Sequence, residues 1–122
     1  MQIKLIFDTY SVQAEIKDTP TGRDILDNLP LESSFTTWGN EIYFSIPVKL
    51  PLESDARSTL EIGELGFYPP MSAFCIFFGP TPMSMDGKPQ AAGDVNVFGK
   101  LIEVDVAKLS SIRGTKVRVE KV

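Results

Sequence analysis

The sequence contains no histidine. Histidine is the commonest general base at neutral pH and the commonest metal ligand in proteins. Zinc would have to be held by a single cysteine and carboxylates, which is an uncommon ligand set. We therefore expect neither a histidine-dependent catalytic site nor a resident metal or cofactor.

Cysteine and long apolar runs are also scarce. Cys75 is the one cysteine, so the chain cannot form an internal disulfide. No stretch approaches the roughly 18 apolar residues that span a membrane. Residues 1–8 alternate between apolar and polar types and do not read as a secretory signal. These observations predict a cytoplasmic protein without a membrane segment.

An excess of positive charge is missing as well. The chain has 12 lysines and arginines against 16 acidic residues, which gives a net charge of −4. A protein that binds a phosphate backbone normally presents a basic stripe. The basic residues here are scattered, and Glu120 interrupts the densest group. The sequence therefore argues against nucleic-acid binding.

What is present is a pattern of short strands in a chain of 122 residues, a length that suits one domain over residues 1–122. Apolar residues alternate with polar ones in several segments, and one segment is continuously apolar. Together these segments predict eight strands, at 2–8, 12–16, 33–37, 42–46, 60–68, 73–78, 95–103 and 117–119.

Two short helices complete the prediction. The first runs from about Pro20 to Leu29, with Thr19 as its N-cap. The second follows Asp105 as its cap. Residues 47–60 read as irregular and residues 79–94 as a long loop. Short strands spread evenly along a chain favour closure of the sheet. The predicted fold is mainly β, a closed eight-stranded barrel with two short helices.

Three segments together carry a family resemblance. They are Thr-Trp-Gly-Asn-Glu-Ile-Tyr-Phe-Ser-Ile-Pro-Val at 37–48, Glu-Ile-Gly-Glu-Leu-Gly-Phe-Tyr-Pro-Pro at 61–70, and Cys-Ile-Phe-Phe-Gly-Pro-Thr-Pro-Met-Ser at 75–84, which resumes as Val-Asn-Val-Phe-Gly-Lys-Leu at 95–101. In this order they resemble the small prokaryotic cyclophilin-like domains. Phe67-Tyr68 departs mildly from the aromatic pair, often Tyr-Trp, expected before Pro-Pro. The resemblance implies a cyclophilin-type barrel with helices over its ends, and it leaves the function open.

The same resemblance raises the question of prolyl isomerisation. Cyclophilins place an arginine near the proline nitrogen, beside a hydrophobic pocket, and their Phe-His-Arg and Gln-Gly-Gly-Asp segments have no counterpart here. Arg57 is the one arginine in an irregular stretch that could border a pocket, and a solvated loop charge is the simpler interpretation. We expect weak or absent activity, so an atypical peptidyl-prolyl isomerase is the alternative function.

The aromatic and proline-rich segments supply the best candidates for a binding site. A mostly apolar hollow with a few polar groups is what a small molecule or a peptide requires. The predicted ligand-binding residues are Trp38, Tyr43, Tyr68, Pro70, Phe78, Thr81 and Asn96. Glu41 and Arg57 are weaker candidates for a catalytic role.

Each candidate also has a purely structural interpretation. Trp38 could plug one end of the barrel, Asn96 could pin the long loop, and Thr81 could cap a turn. Cys75 lies in the most apolar segment and should be inert. The favoured function is a module that binds a small molecule or a proline-containing peptide. An enzyme acting through Glu41 or Arg57 and a domain that docks another protein remain alternatives.

Overall fold

The computed structural model describes all 122 residues, and most of them lie in strands. The elements are β1 (Gln2–Ile6), β2 (Ser11–Ile16), α1 (Pro20–Asp27), β3 (Leu31–Thr37), β4 (Glu41–Ser45), β5 (Arg57–Thr59), β6 (Glu64–Tyr68), β7 (Ala73–Phe77), β8 (Gln90–Leu101), α2 (Val106–Ser110) and β9 (Lys116–Lys121). A 3-10 turn, Pro69–Met71, joins β6 to β7.

Eight of the strands close into a ring, which we call the strand ring. The order around it is β2-β1-β9-β3-β4-β7-β6-β8, and the pairing of β2 with β8 closes it. Every pairing is antiparallel, and β5 lies outside the ring, attached to β8. The predicted mainly β fold, with a closed eight-stranded sheet and two short helices, is confirmed.

The interior of the strand ring holds the larger hydrophobic core. Along β7, Phe74 and Ile76 face this interior because alternate residues of a strand point to opposite faces. Phe74 stacks on Phe44 with ring centroids 4.7 Å apart and meets Phe98 edge-on at 4.9 Å. Apolar patterning alone predicts an interior position for Val97. In the structure Phe98 takes the interior position, and Val97 faces outward and is half-buried.

Both helices begin where their caps predict. The hydroxyl of Thr19 accepts a hydrogen bond from the amide of Gly22 at 3.0 Å, and Asp105 caps α2 by accepting from the amide of Lys108 at 3.0 Å. Helix α1 ends at Asp27, before the predicted end at residue 29. Neither helix has the length and apolar character needed to cross a membrane.

The stretch between β4 and β8 differs from its sequence-based description. The predicted loop 79–94 is shorter, because β8 already begins at Gln90. Its first half pairs with β5, through Thr59 opposite Gln90 and Arg57 opposite Val95. Strand β5 lies inside the segment predicted to be irregular, and its partner residues lie more than 30 positions away, so local periodicity carries no sign of the pairing.

A second, smaller core lies on the outside of the strand ring, and we call it the outer cluster. It consists of Leu60, Ala73, Cys75, Phe77, Ala91 and Val95. Three of these residues are the outward-facing side chains of β7, which explains why that strand is buried on both faces. The first half of β8 covers them because its pairing with β5 holds it over the sheet.

Candidate functional site

A pocket of about 150 Å³, which we call the outer pocket, opens beside the outer cluster. Strands β4 and β7 supply much of its lining, and the first half of β8 supplies part of the rest. Glu41 is the one charged residue of the lining. The lining residues are Trp38, Glu41, Tyr43, Tyr68, Met71, Ala73, Cys75, Phe77, Ala91, Ala92 and Val95.

The turn between β3 and β4 places Trp38 beside Glu41. The amide of Trp38 donates to the carbonyl of Glu41 at 2.9 Å, and the amide of Glu41 donates back at 3.2 Å. Residues directly opposite in such a pair present their side chains on the same face. Gly39 has a φ of +60°, a conformation that favours glycine, and makes this tight reversal possible.

Two tyrosines bring further aromatic surface to the pocket. Tyr43 lies opposite Cys75 in the β4–β7 pairing, and Tyr68 lies opposite Ala73 in the β6–β7 pairing. Both tyrosines are half-buried. A Cβ atom on Gly93 would lie 3.2 Å from Cε1 of Tyr68, so β8 passes close to this ring.

Gly66 allows the floor of the pocket to close. A Cβ atom at this position would lie 2.7 Å from Cγ2 of Val95 and 3.2 Å from Cε2 of Phe77. Any larger residue would therefore push apart two side chains that line the pocket. The glycine is explained by close packing, since its φ lies outside the positive region.

Glu41 is the unusual group of this site. Its side chain is only 5% exposed, and its Oε1 atom has no hydrogen-bond partner in the protein. Burial raises the pKa of Glu41 from 4.5 to about 7, and a contact with the Cys75 thiol partly offsets that rise. Leaving a buried polar atom unpaired costs about 1–3 kcal/mol. Glu41 is therefore ionisable near neutral pH, and its ionised form disfavours the folded state.

Cys75 lies next to Glu41 and has no reactive character of its own. The thiol is 3% exposed, and its Sγ atom lies 3.8 Å from the carbonyl oxygen of Ala73. Burial, and then the charge and hydrogen bond of Glu41, raise the pKa of the thiol well above its usual range. Because the thiolate is the nucleophilic form, the raised pKa leaves the Cys75 thiol unreactive near neutral pH.

Of the residues predicted for the site, the structure brings together Trp38, Tyr43 and Tyr68, with Glu41 beside them. It places Phe78 in the interior of the strand ring, where the side chain is 1% exposed. The reason is the alternation of β7, which continues past the end of the strand and turns Phe77 outward. Pro70 is exposed in the 3-10 turn and does not line the pocket.

Thr81 does not line the pocket and instead organises the loop before β8. Its hydroxyl donates to the carbonyl of Gln90 and accepts from the amide of Met83 at 3.2 Å. Its own amide donates to the hydroxyl of Ser84 at 2.9 Å. These bonds hold the start of β8, which forms one wall of the pocket.

Asn96 points away from the pocket, and its amide group is paired with the protein. The Nδ2 atom donates to the hydroxyl of Thr21 and to the carbonyl of Pro51, both at 3.0 Å. The Oδ1 atom accepts from the amide of Glu53 at 2.7 Å. Asn96 therefore fastens α1 and the segment after β4 to the strand ring.

Arg57 does not line the pocket, and its guanidinium is engaged by Glu64. The two nitrogen–oxygen distances are 2.8 and 2.7 Å, and the amide of Glu61 donates to the same carboxyl at 2.7 Å. Burial alone would raise the pKa of Glu64, but the bonds from Arg57 and Glu61 lower it overall. The same ion pair raises the pKa of Arg57.

The lining residues missed from the sequence come from β7 and β8 in equal number, together with Met71. Ala91, Ala92 and Val95 line the pocket because β5 holds this part of β8 over the sheet. One usable signal was the apolar run of β7, which required a cover on its outer face. Which residues cover that face is set by the long-range pairing of β5 with β8.

Comparison with known proteins agrees with this architecture. The family model described as cyclophilin-like matches residues 1–120. The solution structure of a hypothetical protein from Archaeoglobus fulgidus is similar to this one, with a TM-score of 0.84 and 32% sequence identity. The match covers 100% of this chain and 95% of the archaeal chain. No curated protein sequence matches significantly. The chain belongs to the small prokaryotic cyclophilin-like family.

Proposed function

We propose that the protein is a binding module whose outer pocket holds one small, mostly apolar molecule through a single polar contact with Glu41. One observation carries the proposal: the pocket is apolar except for a buried carboxyl group whose Oε1 atom has no partner in the protein. Ligand sites typically combine an apolar lining with very few polar groups that fix orientation.

Stability does not explain Glu41. Buried polar groups in proteins are nearly always hydrogen-bonded, and each exception calls for an explanation. An apolar residue of similar size would pack against Tyr43 and Phe77 without the cost of desolvating a carboxyl group. A ligand that donates to Oε1 would supply the missing hydrogen bond.

The dimensions of the pocket favour a ligand of about one ring. An engineered apolar cavity of about 150 Å³ in another protein binds benzene, and the outer pocket has a volume of about 150 Å³. Tyr68 and Trp38 are half-buried, so they present faces that a planar or branched apolar group can contact. A proline ring has a similar size, so a short proline-containing peptide belongs in the same screen.

The alternative function, prolyl isomerisation, has less support. The arginine that could serve it, Arg57, gives its guanidinium to Glu64. Lysines and arginines are absent from the pocket lining. We expect the purified protein not to accelerate isomerisation of a proline-containing test peptide. Robust catalysis that disappears in Arg57→Ala would contradict this expectation.

The test is a screen of one-ring molecules of all charge types, together with short proline peptides. Trp38 is the only tryptophan and lines the pocket, so its fluorescence reports occupancy directly. A ligand that binds only the folded state stabilises it by about 2.7 kcal/mol at a hundredfold excess over Kd. A hit should therefore change the fluorescence and also raise Tm.

A blocking variant locates the binding. Ala92 is exposed and lines the pocket, so Ala92→Phe places a large side chain at its mouth. Ala107→Phe, on an exposed position of α2, is the matched control. Each hit should bind Ala92→Phe at least tenfold more weakly than the unmodified protein, and should bind Ala107→Phe with unchanged affinity. Equal binding to both variants, or a screen without hits, would overturn the proposal.

A further inference from the structure

We propose that the ligand of the outer pocket is a small organic ammonium ion, held between the Glu41 carboxylate and the aromatic side chains of Trp38 and Tyr43. This inference rests on the binding function proposed above, and it specifies the chemical class of the ligand.

The charge of the lining points to a cation. Glu41 is the only charged residue among the eleven that line the pocket, and the others are hydrophobic. Its Oε1 atom is an acceptor without a partner, and the residue is only 5% exposed. An ammonium group donates through several N–H bonds, and a charge-assisted hydrogen bond is roughly twice as strong as a neutral one.

Two aromatic side chains share the face of the sheet that carries Glu41. The β3–β4 turn sets Trp38 directly beside Glu41. Tyr43 is two residues further along β4 and therefore on the same face of the sheet. The faces of aromatic rings attract cations, with tryptophan the strongest, and aromatic cages are a known means of recognising ammonium groups.

A metal cation does not fit this site. Calcium and magnesium need several oxygen ligands, and no group of three or more histidine, cysteine, aspartate or glutamate side chains comes together anywhere in the protein. The other ionisable side chains of the pocket are Cys75, Tyr43 and Tyr68. None of them carries a positive charge in any protonation state, so none competes with an ammonium ion.

A neutral ligand that only accepts hydrogen bonds is the competing possibility. It would require Glu41 to be protonated and to donate. The two ligand types therefore demand opposite protonation states of one carboxyl group. This opposition gives a test that works on the unmodified protein.

The first experiment follows Trp38 fluorescence during titration with benzylamine, benzyl alcohol and acetophenone. All three carry one ring, but benzylamine is an ammonium ion near neutral pH, benzyl alcohol is a neutral donor, and acetophenone is an acceptor only. We expect benzylamine to bind at least tenfold more tightly than either neutral probe at about pH 8. Equal affinities, or acetophenone binding best, would overturn the inference while the binding function stands.

The second readout is the direction of the pH dependence. Binding of an ammonium ion to the carboxylate releases a proton from Glu41 where that group is protonated. Benzylamine affinity should therefore fall as the pH drops from about 8 to about 5.5, because Glu41 must give up its proton before it can pair. An affinity that rises over this interval would overturn the inference.

A charge-neutral variant assigns the preference to Glu41. Glu41→Gln should reduce the tenfold preference for benzylamine over benzyl alcohol to less than about twofold. Glu103→Gln removes the same charge from an exposed residue outside the pocket and should keep the preference. A preference that survives in Glu41→Gln contradicts the inference. If that variant does not fold, the pH readout on the unmodified protein decides.

The ammonium group has two possible sources, a free amine or the lysine side chain of a peptide. A capped lysine, acetylated at its amino end and amidated at its carboxyl end, separates them in the same titration. Tighter binding of benzylamine identifies a free amine, and tighter binding of the capped lysine identifies a peptide. Absence of binding by both overturns the inference, whereas neutral hits in the wider screen would still support the proposed function.

Discussion

Glu41 and Glu64 occupy comparable places in the strand ring. Each begins a strand, β4 and β6 respectively, and the two residues are only 5% and 8% exposed. Glu64 receives two bonds from Arg57 and one from a backbone amide, whereas Oε1 of Glu41 receives none. The pKa of Glu64 is lowered, and that of Glu41 is raised to about 7.

The difference teaches how to read a buried carboxyl group. A buried charge that is fully paired has a structural role, because its removal would leave its partner buried without a counter-charge. A buried carboxyl with an unused acceptor, in a residue that lines a pocket, has no such architectural partner. Burial alone therefore does not distinguish a structural glutamate from a functional one, but the completeness of its hydrogen bonding does.

The largest expected effect is a dependence of protein stability on pH that comes from Glu41. Because the pKa of Glu41 rises from 4.5 to about 7 on folding, the folded protein holds this proton more tightly. The protonated Glu41 side chain therefore contributes roughly 3 kcal/mol to the free energy of unfolding. This contribution is fully present below pH 4.5 and is lost as the pH rises through about 7. Glu41→Gln should cancel the loss.

Urea unfolding near pH 5 and near pH 9 measures this prediction. The stability of Glu41→Gln relative to the unmodified protein should improve between the two conditions. Glu103→Gln, at an exposed position, should follow the unmodified protein throughout. Parallel stability profiles for Glu41→Gln and the unmodified protein would show that Glu41 keeps an ordinary pKa in the folded state.

The second prediction breaks the pairing of Glu64. Arg57→Ala should lower the free energy of unfolding by about 2 kcal/mol near neutral pH, since Glu64 is left buried without its strongest partner. We expect less than the full cost of a deeply buried pair because the Arg57 side chain is 43% exposed. Guanidinium unfolding is the measurement.

An exposed ion pair serves as the matched control for this prediction. Arg23 pairs with Asp18 at 2.6 Å, and both side chains are largely exposed. Arg23→Ala should therefore cost less than about 0.5 kcal/mol. The double variant Arg57→Ala, Glu64→Gln should recover part of the loss. If Arg57→Ala and Arg23→Ala had equal effects, the ion pair at Glu64 would not be structural.

The smallest expected effect sharpens the description of Glu41. The Cys75 thiol lowers the pKa of Glu41, so Cys75→Ala should raise that pKa further. Cys75→Ser keeps a donor and should not raise it. Titration of the Glu41 side-chain carboxyl by carbon-13 NMR measures both variants. A pKa unchanged by Cys75→Ala would mean that the thiol donates to the Ala73 carbonyl alone.

Much of the fold was accessible from the sequence because its determinants are local. Alternation along β2 and the Thr19 cap each act within a few residues. The pairing of β5 with β8 was not accessible, because three residues in a proline-containing stretch carry no periodicity. The length of the predicted loop was wrong for that reason.

The site was accessible only in part. Trp38, Tyr43 and Tyr68 stand out by type, and the structure groups them in one pocket. Which of Phe77 and Phe78 points outward depends on the register of the strand. In a continuously apolar strand, residue type does not distinguish the two faces. The burial and raised pKa of Glu41 depend on the groups around its carboxyl, and these are brought together only in the assembled sheet.

The position of β5 outside the strand ring has a consequence for breathing motions of the protein. The ring closes through β2 and β8, so β5 and residues 90–95 can detach without breaking the closure. Segments with few pairings open at a lower free energy than the global transition. We therefore expect this wall of the pocket to open at a lower free energy than the fold as a whole. Amide hydrogens of β5 should exchange much faster than those of β7.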